Sequence, residues 1–152
     1  YFEHLRAVAL IVMEYMRVTD PKMIAAALLH DIIEDVDEWT QERVALKFNP
    51  KVARLVWWVT KPPVSEYDGD KEARNRAYHL KLGRARREPI IIKLADRLHN
   101  NLTMWGVDET KQRRKVRETQ DFYLPLAERH TILIHETEDV IEEIMTSWNN
   151  AS

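Results

Sequence analysis

Four titratable side chains stand within six residues in the string His30-Asp31-Ile32-Ile33-Glu34-Asp35, directly after the apolar run Met23 to Leu29. Read as one helix, this segment puts His30 and Glu34 a turn apart and Asp31 and Asp35 a turn apart, so both pairs project from neighbouring parts of one surface. Polar groups at that density behind an apolar run point to a lined pocket. A histidine nitrogen with a carboxylate is a half-site for a first-row divalent ion, and two further carboxylates beside it could hold a water and take its proton. The chemistry suggested is metal-assisted hydrolysis. A second string, Lys93-Leu94-Ala95-Asp96-Arg97-Leu98-His99-Asn100, places Asp96, Asn100 and Thr103 at spacings of one and two helical turns on one face. Asp96 can ligate a metal while Asn100 and Thr103 bind substrate. His4, near the start of the chain, offers a further ligand. Two nitrogens and two carboxylate oxygens leave open positions for water and phosphate on a six-coordinate ion; manganese suits such mixed ligands best, with iron and zinc as alternatives.

The elements that must position these residues are helical. Only three glycines occur, and most stretches carry apolar residues at helical spacing, which predicts an all-α, compact helical bundle. Leu5, Val8, Ala9, Val12, Met13 and Met16 predict a first helix from about His4 to Arg17. Asp20-Pro21 starts a second that runs to about Asp35, and Asn49-Pro50 starts another that Pro62-Pro63 must stop. Lys61 to Asp70 then reads as a loop. Helices are expected over Glu72 to Leu82, Pro89 to Trp105 with a stop at Gly106, Glu109 to Arg129, and His135 to Trp148. Ile90-Ile91-Ile92 alone would favour a strand, but the spacing that continues into Trp105 favours a buried helix.

A chain of 152 residues, 45% hydrophobic and 32% charged, suits one folded domain spanning 1–152. Its formal net charge of -2 supplies no global basic field, so neither nucleic acid nor an anionic membrane is an expected partner. The absence of cysteine excludes disulfides, zinc-thiolate sites and cysteine nucleophiles. The longest apolar runs fall well short of the roughly 20 residues that a membrane span needs. A cytoplasmic location is expected. The chain starts at Tyr1 in what reads as a helix entry, so residues upstream are expected to be missing.

Taken together, Tyr1-Phe2-Glu3-His4, Ala26-Ala27-Leu28-Leu29-His30-Asp31 with Glu34-Asp35, Val59-Thr60-Lys61, the Ile92 to Asn100 string and Pro125-Leu126-Ala127-Glu128-Arg129 resemble the HD superfamily of phosphohydrolases. Within it they resemble the hydrolase domain of RelA/SpoT homologues, in the family's order and over nearly the whole chain. The His-Asp pair alone is a weak signal; the two long strings together are specific. The resemblance implies a helical domain that binds one manganese ion and removes pyrophosphate from the 3′ position of guanosine tetra- or pentaphosphate (ppGpp), the alarmone of the stringent response. It implies His4, His30, Asp31 and Asp96 as metal ligands, Glu34 and Asp35 as the groups that activate water or assist the leaving group, and Asn100 and Thr103 as nucleotide contacts. The family's guanine-stacking arginine falls upstream of Tyr1, and its synthetase domain is absent from this sequence. Two alternatives therefore stand beside the alarmone reading: an HD phosphatase acting on another nucleotide or a dinucleotide cofactor, and a non-catalytic nucleotide-binding regulatory domain. The Glu34-Asp35 pair favours catalysis, since a pure sensor has no need of it. The basic stretch Lys111, Arg113, Arg114, Lys115 and Arg117 reads as a solvated helix face, one or two of whose members could reach phosphates. Trp57-Trp58 reads as packing.

Overall fold

The computed structural model describes residues 2–150; Tyr1, which opens the first of the matching strings, and positions 151–152 of the expected domain lie outside the described residues. Among the described residues every regular element is a helix, as expected. The chain divides into two compact units, Tyr1–Lys93 and Leu94–Ser152.

The first unit holds α1 (Phe2–Leu10), α2 (Pro21–Leu28), α3 (Ile32–Asp35), α4 (Gln41–Lys47), α5 (Pro50–Val59), α6 (Lys71–Gly83) and the beginning of α7 (Arg87–Leu102). Its helix starts follow local chemistry. Asp20, Thr40, Asn49 and Asp70 each accept a backbone N–H of the first turn through the side chain, and Pro21 and Pro50 supply the preset φ of a helix entry. α5 is the pivot of the unit: it packs against α2 and α4 and buries Val52, Ala53, Leu55, Val56 and Val59. Lys51 at its start donates to Asp20 Oδ2 at 2.7 Å and to Glu88 Oε1 at 2.8 Å, tying the cap of α2 to the first turn of α7. Those two bonds, Asp20 first, raise the pKa of the Lys51 ammonium, and Lys51 in turn lowers that of Asp20.

Two sequence expectations for this unit need correction. The first helix begins at Phe2 and, instead of continuing regularly to Arg17, widens into a π-helical turn over Ile11–Tyr15, with Arg17 at φ 55°. The second does not run from Pro21 to Asp35. It stops at Leu28; Leu29 N donates to both Ala25 O and Ala26 O, and the chain restarts only when Ile32 N bonds Leu29 O. His30 and Asp31 therefore sit in a turn, with Asp31 as the cap of the short α3. Helix α4 had no signal strong enough to read, because only Val44 of its seven residues is buried. The Lys61 to Asp70 stretch is a loop as expected, with a single 3₁₀ turn at Val64–Tyr67.

The second unit contains the end of α7, a 3₁₀ turn over Met104–Gly106, α8 (Glu109–Glu118), α9 (Leu124–His130) and α10 (Ile134–Asn150). The single helix expected from Glu109 to Arg129 is interrupted by a π-helical segment, Thr119–Tyr123, just ahead of Pro125. A proline near the start of α9 has no N–H to give, and the wider π turn removes the clash its ring would otherwise make with the preceding turn. Gln112 organises the unit's polar interior. Its amide donates to Met104 O and Val107 O, and its Oε1 accepts Trp148 Nε1–H at 2.7 Å.

The three isoleucines are helical, buried at the start of α7. Burial on every side decides the case, since a helix interior costs isoleucine only a few tenths of a kcal/mol in propensity. Truncating Ile92, which is 0% exposed, to alanine is expected to cost about 2–5 kcal/mol. A urea titration should show a lower midpoint at unchanged slope; an unmoved midpoint would contradict that packing. No described helix is long and apolar enough to cross a membrane.

Candidate active site

The break after Leu28 places His30. Its ring is 1% exposed, and Nδ1 lies 2.8 Å from the carbonyl of Ala27 in the last turn of α2. A carbonyl can only accept, so Nδ1 carries the proton and Nε2 presents its lone pair. That lone pair faces two other donors. His4 Nε2, brought by α1, is 3.3 Å away, and Asp31 Oδ2 is 3.2 Å from His30 Nε2 and 3.8 Å from His4 Nε2. The two rings meet edge to face, with centroids 5.2 Å apart.

These distances fit a shared cation. Ligand atoms about 2.0–2.2 Å from one ion stand roughly 2.8–3.6 Å apart between right-angle and tetrahedral geometry, and about 3.8 Å apart across a wider angle near 120°. Two imidazole nitrogens with one carboxylate oxygen suit a first-row divalent metal. The residues present can hold such an ion, and the backbone carbonyl that fixes the His30 tautomer supplies the outer support that metal-binding histidines commonly have.

Asp96 lies on α7 in the second unit, 3% exposed, and its Oδ1 accepts the side-chain amide of Asn100 at 2.6 Å. The one-turn spacing expected on that helix is thus present, and Asn100 spends one donor on orienting the carboxylate. Thr103 follows at the end of the same face, its hydroxyl donating to His99 O at 3.0 Å. Asn100 and Thr103 both line a cavity of about 310 Å³ within this unit. Arg97, Lys111 and Lys115 line it too, so its wall is cationic. Of the basic stretch on α8, the members one turn apart, Lys111 and Lys115, face this cavity, whereas Arg113 pairs with Glu109 and stacks on Trp148. Arg97 is 4% exposed, bonds Glu118 at 3.0 Å, sits over the Tyr123 ring, and keeps Nε and Nη1 without a hydrogen bond.

Glu34 and Asp35 occupy α3 and are exposed. Glu34 is anchored nonetheless: its Oε1 accepts the backbone N–H of Lys61 at 2.7 Å, directly beyond α5. On its other side it borders a second cavity, about 670 Å³, contained in the first unit. Sequence reading did not single out the residues that furnish this cavity with Lys61, namely Arg74, Tyr78 and Lys81. Nor did it separate the half-exposed Trp57, which lines the cavity, from packing residues. Their signal was the i, i+4, i+7 spacing of Arg74, Tyr78 and Lys81 on α6, a face whose two cations read as solvated until its neighbours are known.

The HD domain family model matches residues 1–133. The guanosine-3′,5′-bis(diphosphate) 3′-pyrophosphohydrolase of Aquifex aeolicus (strain VF5) is 39% identical over 110 residues, covering 72% of this chain and 16% of that protein. The bifunctional (p)ppGpp synthase/hydrolase SpoT of Escherichia coli (strain K12) is 38% identical over 146 residues, covering 95% of this chain and 20% of that protein. The chain thus spans a fifth or less of the length of these relatives. A solved structure of a metazoan SpoT ortholog that hydrolyses ppGpp superposes with a TM-score of 0.72 at 25% identity, covering 94% of this chain and 80% of that one.

Proposed function

We propose, from the premise that this chain belongs to the HD domain family, that it is a metal-dependent phosphohydrolase that removes pyrophosphate from the 3′ position of guanosine tetra- or pentaphosphate. The observation that carries the reading is the convergence of His4 Nε2, His30 Nε2 and Asp31 Oδ2 at ligand spacing, with the His30 tautomer set to offer its lone pair. Asp96 is the fourth ligand in this reading: a buried carboxylate stays ionised only when paired or bound to a cation, and Asn100 holds it in orientation. The mixed nitrogen and oxygen donors favour manganese. When bound, the ion supplies positive charge against phosphoryl oxygens and makes water more acidic.

The protein's own groups manage protons and position. Water attacks the phosphorus bonded to the ribose 3′ oxygen; an O–P bond forms, the P–O3′ bond breaks, and the water proton passes through the Glu34-Asp35 pair to the 3′ oxygen. Pyrophosphate results, with guanosine diphosphate from the tetraphosphate and guanosine triphosphate from the pentaphosphate. Glu34 is suited to this because its bond to Lys61 N–H fixes one oxygen and leaves the other for exchange. Asn100 and Thr103 bind the nucleotide, and the cationic wall of Lys111 and Lys115 beside them receives its 5′ phosphates. The chain acts in the cytoplasm on a soluble nucleotide, with neither nucleic acid nor membrane as partner. It forms one HD domain over 1–152, in keeping with a family match that runs through the division inside α7.

The test is product analysis with guanosine tetraphosphate, other nucleotides and a phosphorylated dinucleotide cofactor, with and without manganese. Pyrophosphate and guanosine diphosphate should appear from the tetraphosphate only with metal. Orthophosphate from another nucleotide would move the substrate, and no release from any would leave a binding domain.

A further inference from the structure

The cavity of about 670 Å³ in the first unit sets its three cations, Lys61, Arg74 and Lys81, half-buried in its wall, while its three carboxylates, Glu34, Asp37 and Glu66, are exposed. Lys61 Nζ and Lys81 Nζ each lie 5.7 Å from the centroid of the Tyr78 ring, and Lys93 Nζ lies 5.4 Å from it. Three ammonium groups around one buried ring repel one another, and each gains only a modest amount from the ring's face. Lys81 is held there by the open end of α5: Nζ donates to Trp57 O at 2.6 Å and Thr60 O at 2.8 Å, and it lies 4.2 Å from the Trp57 ring centroid. Among the described residues it has no carboxylate partner at ion-pair distance. Arg74, two turns earlier on the same face of α6, has a buried Nε with no hydrogen bond. The acids Asp37 and Glu66 line the same cavity but are exposed, whereas Lys61, Arg74 and Lys81 are half-buried. The remaining lining carboxylate is Glu34, which already accepts Lys61 N–H.

We infer that this cavity is the seat of the leaving inorganic pyrophosphate, gripped by Lys61, Arg74 and Lys81. The inference rests on the proposed hydrolysis for the identity of the anion. Glu34 stands at the cavity edge, so the group released where that carboxylate works enters directly among the cations. A diphosphate offers oxygens at both ends to cations that come from the loop and from two successive turns of α6. The cavity opens to solvent, which lets the product depart.

The charge state of Lys81 accords with this. Burial above all, opposed by Glu34 and aided by Lys93, brings its pKa down to about 8. The charged groups facing it are Glu34 from α3, Lys61 from the loop, Arg74 from α6 and Lys93 from α7. Lys81 is protonated below pH 8 and deprotonates above it, so pyrophosphate affinity falls as pH rises through that value.

The experiment titrates inorganic pyrophosphate into the intact chain, with and without manganese, following tryptophan fluorescence, with Trp57→Phe assigning the signal. A saturable change lost in Trp57→Phe is expected, weakened at least about tenfold in Lys81→Met and in Arg74→Met and restored to within a few-fold by Lys81→Arg. Orthophosphate should bind far more weakly. No saturable response, or equal affinity in both methionine variants, overturns the subsite. Its fate is distinguishable from that of the substrate assignment: pyrophosphate binding with the expected variant pattern, but no hydrolysis of guanosine tetraphosphate, retains the subsite and removes the substrate, while hydrolysis without this binding does the reverse.

Discussion

Exchanging Glu34→Gln and Asp35→Asn together is expected to lower turnover of guanosine tetraphosphate by about 10²–10⁴-fold, the range that positioned acid–base groups contribute. That is roughly 2.7–5.4 kcal/mol of barrier at 1.36 kcal/mol per decade. Affinity for the nucleotide should change by no more than a few-fold, because neither substitution removes a metal ligand or a cation that meets phosphate. Both side chains are exposed, and glutamine at position 34 keeps an oxygen to accept Lys61 N–H, so the fold and the edge of the cavity should persist. Single-turnover kinetics with calorimetric binding separates the two quantities. Wild-type turnover in the double variant would refute the proton-handling role. A parallel loss of binding and turnover would instead make the pair a binding element. The single variants then divide the work: Glu34 is restrained by a backbone donor, so its replacement should cost more if the fixed carboxylate is the one that meets the 3′ oxygen.

The helical class and the strings that carry the chemistry were legible because each rests on local rules. Asp20-Pro21 and Asn49-Pro50 start helices by side-chain capping and preset φ, and the structure has both caps with the bonds expected of them. The Asp96 to Asn100 spacing was readable for the same reason: one uninterrupted helix carries both, and Thr103 follows in the turn directly after its last residue, Leu102. What could not be read were departures from the helical period. A helix through His30 would have left its ring on the same stripe as Glu34; the break at Leu29 instead turns His30 Nδ1 back onto Ala27 O and points Nε2 toward His4. The energies that decide between one more helical turn and a tight turn are a few tenths of a kcal/mol per residue, below what apolar spacing reports. The π turns at Ile11–Tyr15 and Thr119–Tyr123 escaped notice likewise, since one extra residue in a turn leaves the apolar pattern nearly intact. The cation cavity was invisible for a different reason. Lys61, Arg74 and Lys81 come from a loop and a helix whose mutual placement depends on tertiary packing, and a lysine on a helix face reads as solvated until its neighbours are known.

Replacing His30 gives the other large effect, and it bears on metal rather than protons. His30→Gln is expected to weaken divalent-ion binding by at least about 100-fold, since supporting residues that only orient a ligand cost 10–100-fold and this one contributes the donor atom. The consequence for stability follows from mass action: an ion at a hundred times its dissociation constant adds about 2.7 kcal/mol to the folded state, and a hundredfold weaker site leaves about 0.4 kcal/mol. The readout is therefore the rise in melting temperature that manganese produces in each protein, compared with the same protein in chelator. Taking the difference within each protein cancels the packing cost of a polar amide in a pocket that is 1% exposed. His4→Gln provides the graded comparison, because its ring is about 20% exposed against 1% for His30, so a smaller share of binding is pre-organised there. Equal manganese-induced shifts in wild type and His30→Gln would place the ion elsewhere and dissolve the ligand set. A lost shift in His30→Gln with a reduced one in His4→Gln is what two nitrogens converging on one carboxylate oxygen require.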